Sequence, residues 1–267
     1  MPEQRIASVL CIAGLDPSGG AGLLADARAC HAANVHALSV ATAIVPQNTR
    51  GVTWIEVVAP DVLRAQIETL LADIRPAAIK IGLIPNLAAV EVLAALLRPL
   101  CEEIPIVIDT VFAPTTGRVF NDQNTIEAIK TRLLPLAAVV TPNALEAVQL
   151  GASAVTDGAS MESAAREILA QSGAKSVLLK GGHVADAQFS TDLFFDGETF
   201  LELRARRENG YEVRGTGCLL ASSLAAHLAR GKAPREAAIE AKKWLTREFQ
   251  NAQIVGGGRR VAAIALP

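Results

Sequence analysis

IASVLCIAGLDPSGGAG, residues 6–22, decides how the chain is read. With Arg5 ahead of it, the apolar run 6–15 imitates the charged and apolar regions of a secretory leader. The run ends in Asp16-Pro17-Ser18-Gly19-Gly20, with no small-x-small cleavage site. An apolar run closed by a Gly-rich turn and followed by an amphipathic, Ala-rich segment reads instead as a buried strand, a loop and a helix. The pattern predicts the strand over 9–13 and the helix over 22–33.

The same unit recurs outward along the chain. Strands are predicted at 38–45, 52–58, 77–81, 106–108, 137–140 and 176–179. Helices are predicted at 61–73, 86–97, 125–133, 143–150, 161–171, 216–229 and 234–250. In the first of these, Leu63, Ile67, Leu70 and Leu71 share one face. Two runs, 193–195 and 199–203, flank Asp196-Gly197 and read as a hairpin. Repeated strand–helix alternation implies an α/β fold with a central, mainly parallel sheet and helices on both faces. No linker or internal repeat divides it, so residues 1–267 read as a single domain. The segment 256–267, Gly-rich and then apolar, fits none of these patterns.

Composition narrows the function. The chain has 267 residues, 51% hydrophobic and 19% charged, which excludes a disordered chain. A net charge of −2 and 4% aromatic residues argue against a nucleic-acid partner. No apolar stretch reaches the length of about 20 residues that a membrane span needs. Cys11, Cys30, Cys101 and Cys218 are scattered, with no C-x-x-C pair. That argues for a reducing, cytoplasmic setting and against a disulfide framework or Cys-rich zinc site. Cys11, Cys30 and Cys101 lie in apolar patterns and read as core.

In open α/β sheets the ligand site lies beyond the carboxyl ends of the strands, and the chemically interesting residues fall there. Arg214-Gly215-Thr216-Gly217-Cys218 opens a long helix. Two glycines let backbone approach a ligand closely, and free N–H groups at a helix start attract an anion. Cys218 lies in the first helical turn, a position that lowers a thiol's pKa, although a small packed residue fits there equally. The loop from Gly14 to Gly22 has the glycine density of a phosphate cradle but matches neither G-x-G-x-x-G nor a Walker loop. Gly231-Lys232-Ala233 is not a Walker loop either. Asp26 falls on the following helix, where a lone carboxylate is ordinarily a surface residue. Gln47-Asn48-Thr49 follows the second strand and offers either ring-reading groups or loop caps. Asp109, Asn143 with Glu146, and Lys180 with His183 end three further strands. Carboxylates suit Mg²⁺ and a lysine suits phosphate; Asn143 and Glu146 also fit a helix cap and first-turn carboxylate.

In order, G-L-D-P-S-G-G-A-G (14–22), Q-N-T-R-G-V (47–52), K-I-G-L (80–83), D-T-V (109–111), T-P-N-A-L-E-A (141–147), K-G-G-H (180–183) and G-T-G-C (215–218) make a constellation. It resembles the hydroxymethylpyrimidine/phosphomethylpyrimidine kinases of thiamin biosynthesis, in the ribokinase-like superfamily, over about residues 5–250. The resemblance implies ATP and Mg²⁺, two successive phosphorylations of a small aminopyrimidine, and a homodimer. It implies that Asp26 and Gln47 hydrogen-bond the pyrimidine, with Gly14 in the loop lining its pocket. Asp109 and Glu146 would organise Mg²⁺, with Asn143 beside them and Lys180 on the nucleotide phosphates. Gly215, Thr216 and Gly217 would form the anion hole, and Cys218 would take the proton from the attacking hydroxyl.

Four positions depart from the family pattern. Thr115 stands where a lysine is expected, Arg214 where a histidine is usual, and Leu83 and Phe112 where methionine is common. A family Gly-His-Gly motif is not evident in 256–267. Arg214 is expected at the mouth of the anion hole, in part replacing the missing lysine. The departures leave open a narrower kinase, limited to the first step or acting on a pyridoxal-type substrate, and a catalytically silent pyrimidine binder.

Overall fold

The run behind Arg5 is a core strand. β1 (Ser8–Leu15) is buried along nearly its whole length. The computed structural model describes residues 6–112, 121–182, 188–208 and 210–262. After β1 come α1 (Gly22–Ala32), β2 (His36–Ile44), β3 (Glu56–Val57), α2 (Pro60–Leu71), β4 (Ala78–Ile81), α3 (Leu87–Leu97), β5 (Ile106–Ile108) and α4 (Gln123–Ala128). A π turn, Ile129–Leu133, and a 3₁₀ turn, Leu134–Leu136, continue α4. The chain goes on through β6 (Val139–Val140), α5 (Ala144–Gln149), α6 (Gly158–Ser172), β7 (Val177–Leu179), β8 (Phe189–Phe195), β9 (Phe200–Arg206), β10 (Val213–Arg214), α7 (Thr216–Ala229), α8 (Pro234–Gln250) and β11 (Arg260–Val261).

The main sheet runs β3-β2-β1-β4-β5-β6-β7-β8-β9. Its centre, β2 through β7, is parallel, whereas β3, β8 and β9 are antiparallel additions at the edges. Side chains alternate between the faces, as the pleat requires. Leu10, Ile12, Ile79, Ile81, Ile106 and Ile108 join the core that includes residues of α2, α3 and α6. Val9, Cys11, Ala13, Ala78 and Val107 join the core that includes residues of α1, α7 and α8. The expected architecture is therefore present, with helices on both faces of a mostly parallel sheet.

Four expectations change in detail. The strand placed at 52–58 contracts to Glu56–Val57, with a separate bridge from Gln47 to Val52. The hairpin strands are longer than their apolar runs because polar residues extend them: Ser190, Thr191 and Asp192 belong to β8, and Arg204 and Arg206 to β9. The helix placed at 125–133 starts at Gln123 and changes to π geometry at Ile129. Cys101 is only partly buried, at the rim of the core, whereas Cys11 and Cys30 are enclosed. Part of the unassigned tail gains a place, since β11 pairs in parallel with β10. Among the described residues no helix is long and apolar enough to cross a membrane.

Candidate active site

The chain leaves β1 for β2 on one side and later returns to β4 on the other, so the strand order reverses at β1. Such a reversal opens a crevice at the carboxyl ends of the strands. The loop after β1 fills part of it and is organised by Asp16, which is fully buried. Asp16 Oδ1 accepts from Ser18 N at 2.8 Å and Ser18 Oγ at 2.7 Å, and Oδ2 from Ala21 N at 2.9 Å. Gly14 leaves the space taken by Leu83 and Val45; a Cβ there would come 2.9 and 3.0 Å from their side chains. Gly215, with φ +72°, faces the same loop so closely that a Cβ would lie 2.1 Å from Gly20 O. Backbone meets backbone there, which only glycine permits.

The strongest cluster joins three strand ends. Lys180 Nζ donates to Asp109 Oδ1 at 2.7 Å and lies 3.6 Å from Glu146 Oε2. Thr141 Oγ1 donates to Asp109 Oδ1 at 2.9 Å, and Thr110 Oγ1 to Glu146 Oε2 at 3.2 Å. A Cβ on Gly217 would stand 3.3 Å from Lys180 Nζ and 3.7 Å from Asp109 Oδ2, so the start of α7 lies over this cluster. Burial works against ionising Asp109, but Lys180, Lys80 and the hydrogen bonds outweigh it and hold the carboxyl below its usual range. Burial lifts Glu146 to about 7; Lys180 pulls it down and Asp109 pushes it up. Lys180 itself stays protonated: burial opposes its charge, and Asp109 and Glu146 more than restore it.

Asn143 combines both of its expected readings. Its side chain accepts from Leu145 N and Glu146 N at 2.9 Å each, while Glu146 Oε2 accepts from Asn143 N at 2.8 Å. This capping box starts α5 and fixes the Glu146 carboxylate beside Lys180. Asp109 Oδ2 and Glu146 Oε1 receive no hydrogen bond from the described residues. Two hard oxygens with free valence fit a Mg²⁺ ion, which takes one or two carboxylates and completes its shell with water and phosphate. Among the described residues no group of three or more metal-type side chains exists, consistent with that partial set.

Cys218 is partly accessible, in the first turn of α7. The helix start does not win its pKa: burial pushes the thiol up to about 11, with Lys80 and the Gly22 backbone opposing. The resting side chain is a thiol. A raised pKa means that the reactive thiolate appears only as pH climbs towards 11. Alkylation of Cys218 by iodoacetamide, followed on its own peptide to separate it from Cys101, is therefore expected to accelerate about tenfold per pH unit from 7 to 10. A plateau reached near pH 7 would show that the helix start outweighs burial.

Asp26 is not a surface carboxylate, and its side chain has no exposed area. Lys80 Nζ donates to Asp26 Oδ1 and Oδ2 at 2.8 and 2.9 Å, and Ser222 Oγ to Oδ1 at 2.7 Å. The ammonium is a donor only and holds both carboxylate oxygens, so it favours the carboxylate form against the upward push of burial. Burial likewise opposes the charge on Lys80, and Asp26 overcomes it. Through Ser222 the pair grips α7 one turn beyond Cys218. The described contacts of the enclosed Asp26 carboxylate are thus Lys80 and Ser222.

Arg214 also departs from expectation. Its guanidinium Nη2 donates to Gln47 Oε1 and Nε to Asp16 Oδ2 at 3.5 Å. The cation expected at the anion hole is drawn onto the loops that follow β1 and β2. Phe112 joins the core and is 1% exposed, and Leu83 packs with Ala43 and Val45. Thr115 and His183 lie outside the described residues.

Four residues were given no role from sequence. Lys80 had a signal: one lysine within an otherwise apolar strand must find a buried partner. Asp16 sat inside the glycine motif, hidden by it. Asp192 and Lys242 pair at 2.8 Å, and Asp192 also accepts from Gly181 N at 2.9 Å, anchoring the turn after Lys180. Nothing local announces that pair.

The model of the family described as phosphomethylpyrimidine kinase matches residues 16–262. A hydroxymethylpyrimidine/phosphomethylpyrimidine kinase of Synechococcus elongatus is 37% identical, covering 94% of this chain and 94% of its own length. A probable thiamine biosynthetic bifunctional enzyme of rice is 36% identical over 94% of the chain, which spans only 46% of that longer relative. Among solved structures, pyridoxal kinase from Bacillus subtilis, in an ADP complex, superposes with a TM-score of 0.89 at 29% identity, covering 98% of each chain.

Proposed function

Because the chain belongs to the phosphomethylpyrimidine kinase family, we propose that it phosphorylates 4-amino-5-hydroxymethyl-2-methylpyrimidine and then its monophosphate, with ATP as donor. The observation that carries the reading is the stacking of the α7 start over the Asp109–Lys180–Glu146 cluster. Phosphoryl transfer needs positioning and neutralised charge more than covalent chemistry. Backbone N–H groups of Gly215, Thr216 and Gly217 supply the anion hole. Lys180 reaches towards the phosphates from below. Asp109 and Glu146 would hold Mg²⁺, which when bound would neutralise phosphate charge. Cys218, a thiol at rest, would have to lose its own proton first to take that of the substrate hydroxyl as a thiolate. Gly14 and its loop wall the pyrimidine pocket, and Gln47 reads the ring edge.

A second reading, a pyridoxal-type substrate, is favoured by the superposition on a pyridoxal kinase. A product time course with hydroxymethylpyrimidine, ATP and Mg²⁺, resolved by phosphate content, separates the possibilities. The pyrophosphate is expected to build up after the monophosphate, above a Cys218→Ala control. Monophosphate that accumulates and stops would limit the enzyme to one step. No pyrimidine product, with ATP converted to ADP as pyridoxal is phosphorylated, would move the assignment to the second reading.

A further inference from the structure

Arg214 is enclosed, with 9% of its side chain exposed, yet among the described residues its guanidinium meets no phosphate-facing group. Its stem lies against Gly20, where a Cβ would come within 2.8 Å of Arg214 Cδ. Its head reaches Gln47, 167 residues away in sequence. A guanidinium offers donors and no acceptor. The Gln47 carboxamide must therefore turn its carbonyl towards Arg214, which settles an orientation that a glutamine otherwise chooses freely. Gln47 Nε2 is left without a hydrogen-bond partner among the described residues.

The surroundings hold both groups still. Asn48 Oδ1 accepts from Arg50 N at 2.9 Å and Gly51 N at 3.3 Å, closing the turn after Gln47. The Gly-rich tail straps this turn: Gly258 N donates to Thr49 Oγ1 at 3.1 Å and Arg259 N to Thr49 O at 3.0 Å. The same tail then pairs as β11 with Val213 and Arg214 in β10. One segment thus braces the Gln47 turn and the backbone of Arg214 together.

Building on the function above, we propose that Arg214 is a specificity-determining positioning residue, which locks the Gln47 carboxamide so that it meets the ring with an N–H donor. Nε2 then requires an acceptor on the substrate, a ring nitrogen. The second lone pair of the locked carbonyl accepts from a neighbouring amino group. An aminopyrimidine carries that acceptor–donor pair on one edge, and a ring with C–H in place of the nitrogen does not.

The test compares hydroxymethylpyrimidine with its analogue bearing C–H in place of the ring nitrogen beside the amino carbon. Wild-type enzyme is expected to prefer the pyrimidine by about 10–100-fold in kcat/KM, the value of one hydrogen bond in a closed site. Arg214→Met is expected to raise the pyrimidine KM, leave the ATP KM unchanged and cut that preference to a few-fold. Arg214→Lys, also a pure donor, is expected to restore much of it. Gln47→Glu keeps a partner for Arg214 and so keeps the fold, but offers the ring no donor; it is expected to lose pyrimidine binding as far as Gln47→Ala does. An Arg214→Met enzyme with unchanged preference and a raised ATP KM would overturn the proposal, as would Gln47→Glu with a normal pyrimidine KM. Wild-type enzyme that turns over no pyrimidine would remove the functional reading and this one together; turnover with unchanged preference removes this one alone.

Discussion

Lys80→Met is expected to lower the unfolding free energy by about 3–5 kcal/mol, read from urea unfolding monitored by circular dichroism. The side chains of Lys80 and Asp26 are both wholly enclosed. Removing the ammonium strands a carboxylate that keeps only the Ser222 hydroxyl as donor. An uncompensated charge at that depth is far costlier than the pair it came from, because the pair had already offset most of its own desolvation. The double variant Lys80→Met/Asp26→Leu is therefore expected to recover most of the loss. A single variant within about 1 kcal/mol of wild type would show that Asp26 takes up a proton at little cost and that the pair contributes specificity instead of stability.

The second large effect concerns Lys180. Lys180→Met is expected to lower kcat by about 10²–10³-fold, the scale seen when one preorganised charge-stabilising donor is removed. The loss has a pH signature. Lys180 draws the Glu146 pKa down, against burial and the charge of Asp109. Without the ammonium, Glu146 keeps its proton to higher pH, so the acid limb of the rate profile is expected to move upward. A drop in kcat with an unmoved acid limb would place the lysine on the phosphates alone. An unchanged kcat would reduce it to a structural partner of Asp109.

The layers of this fold were legible because strand and helix alternate so regularly. β5, α7 and α8 lie where their patterns place them, at Ile106–Ile108, Thr216–Ala229 and Pro234–Gln250. Elsewhere local chemistry concealed the boundary. α6 begins at Gly158, three residues before its first apolar position, because Asp157 and Ser160 cap it reciprocally. β8 and β9 outrun their apolar stretches because polar residues extend them: Asp192 of β8 is buried against Lys242, and the edge strand β9 turns Glu202, Arg204 and Arg206 outward. The site was legible wherever a motif ended a strand: Asp109, Glu146 and Lys180 do converge. What escaped reading was the pairing of charges far apart in the chain. Asp26 finds Lys80 after 54 residues, and Asp192 finds Lys242 after 50. Whether such a residue touches a ligand or a buried counter-charge depends on tertiary packing, which short-range patterns do not carry. Arg214 is the clearest case: its place in the motif suggested phosphate, and its contacts turn it to Gln47.

The strap between Thr49 and Gly258 joins residues 209 positions apart, and the ties from Asp16 and Asp26 to α7 and its approach span nearly as many. A growing chain emerging from the ribosome completes β1, β2 and α1 long before it holds Arg214 or the segment that braces it. Domains generally fold as units, and contacts this distant form late. The crevice is therefore closed only when nearly all of the described chain has been made. A ligand that binds this finished crevice and not the unfolded chain stabilises the fold by RT ln(1 + [L]/Kd). Its supply would in this way protect the completed protein and none of its early fragments.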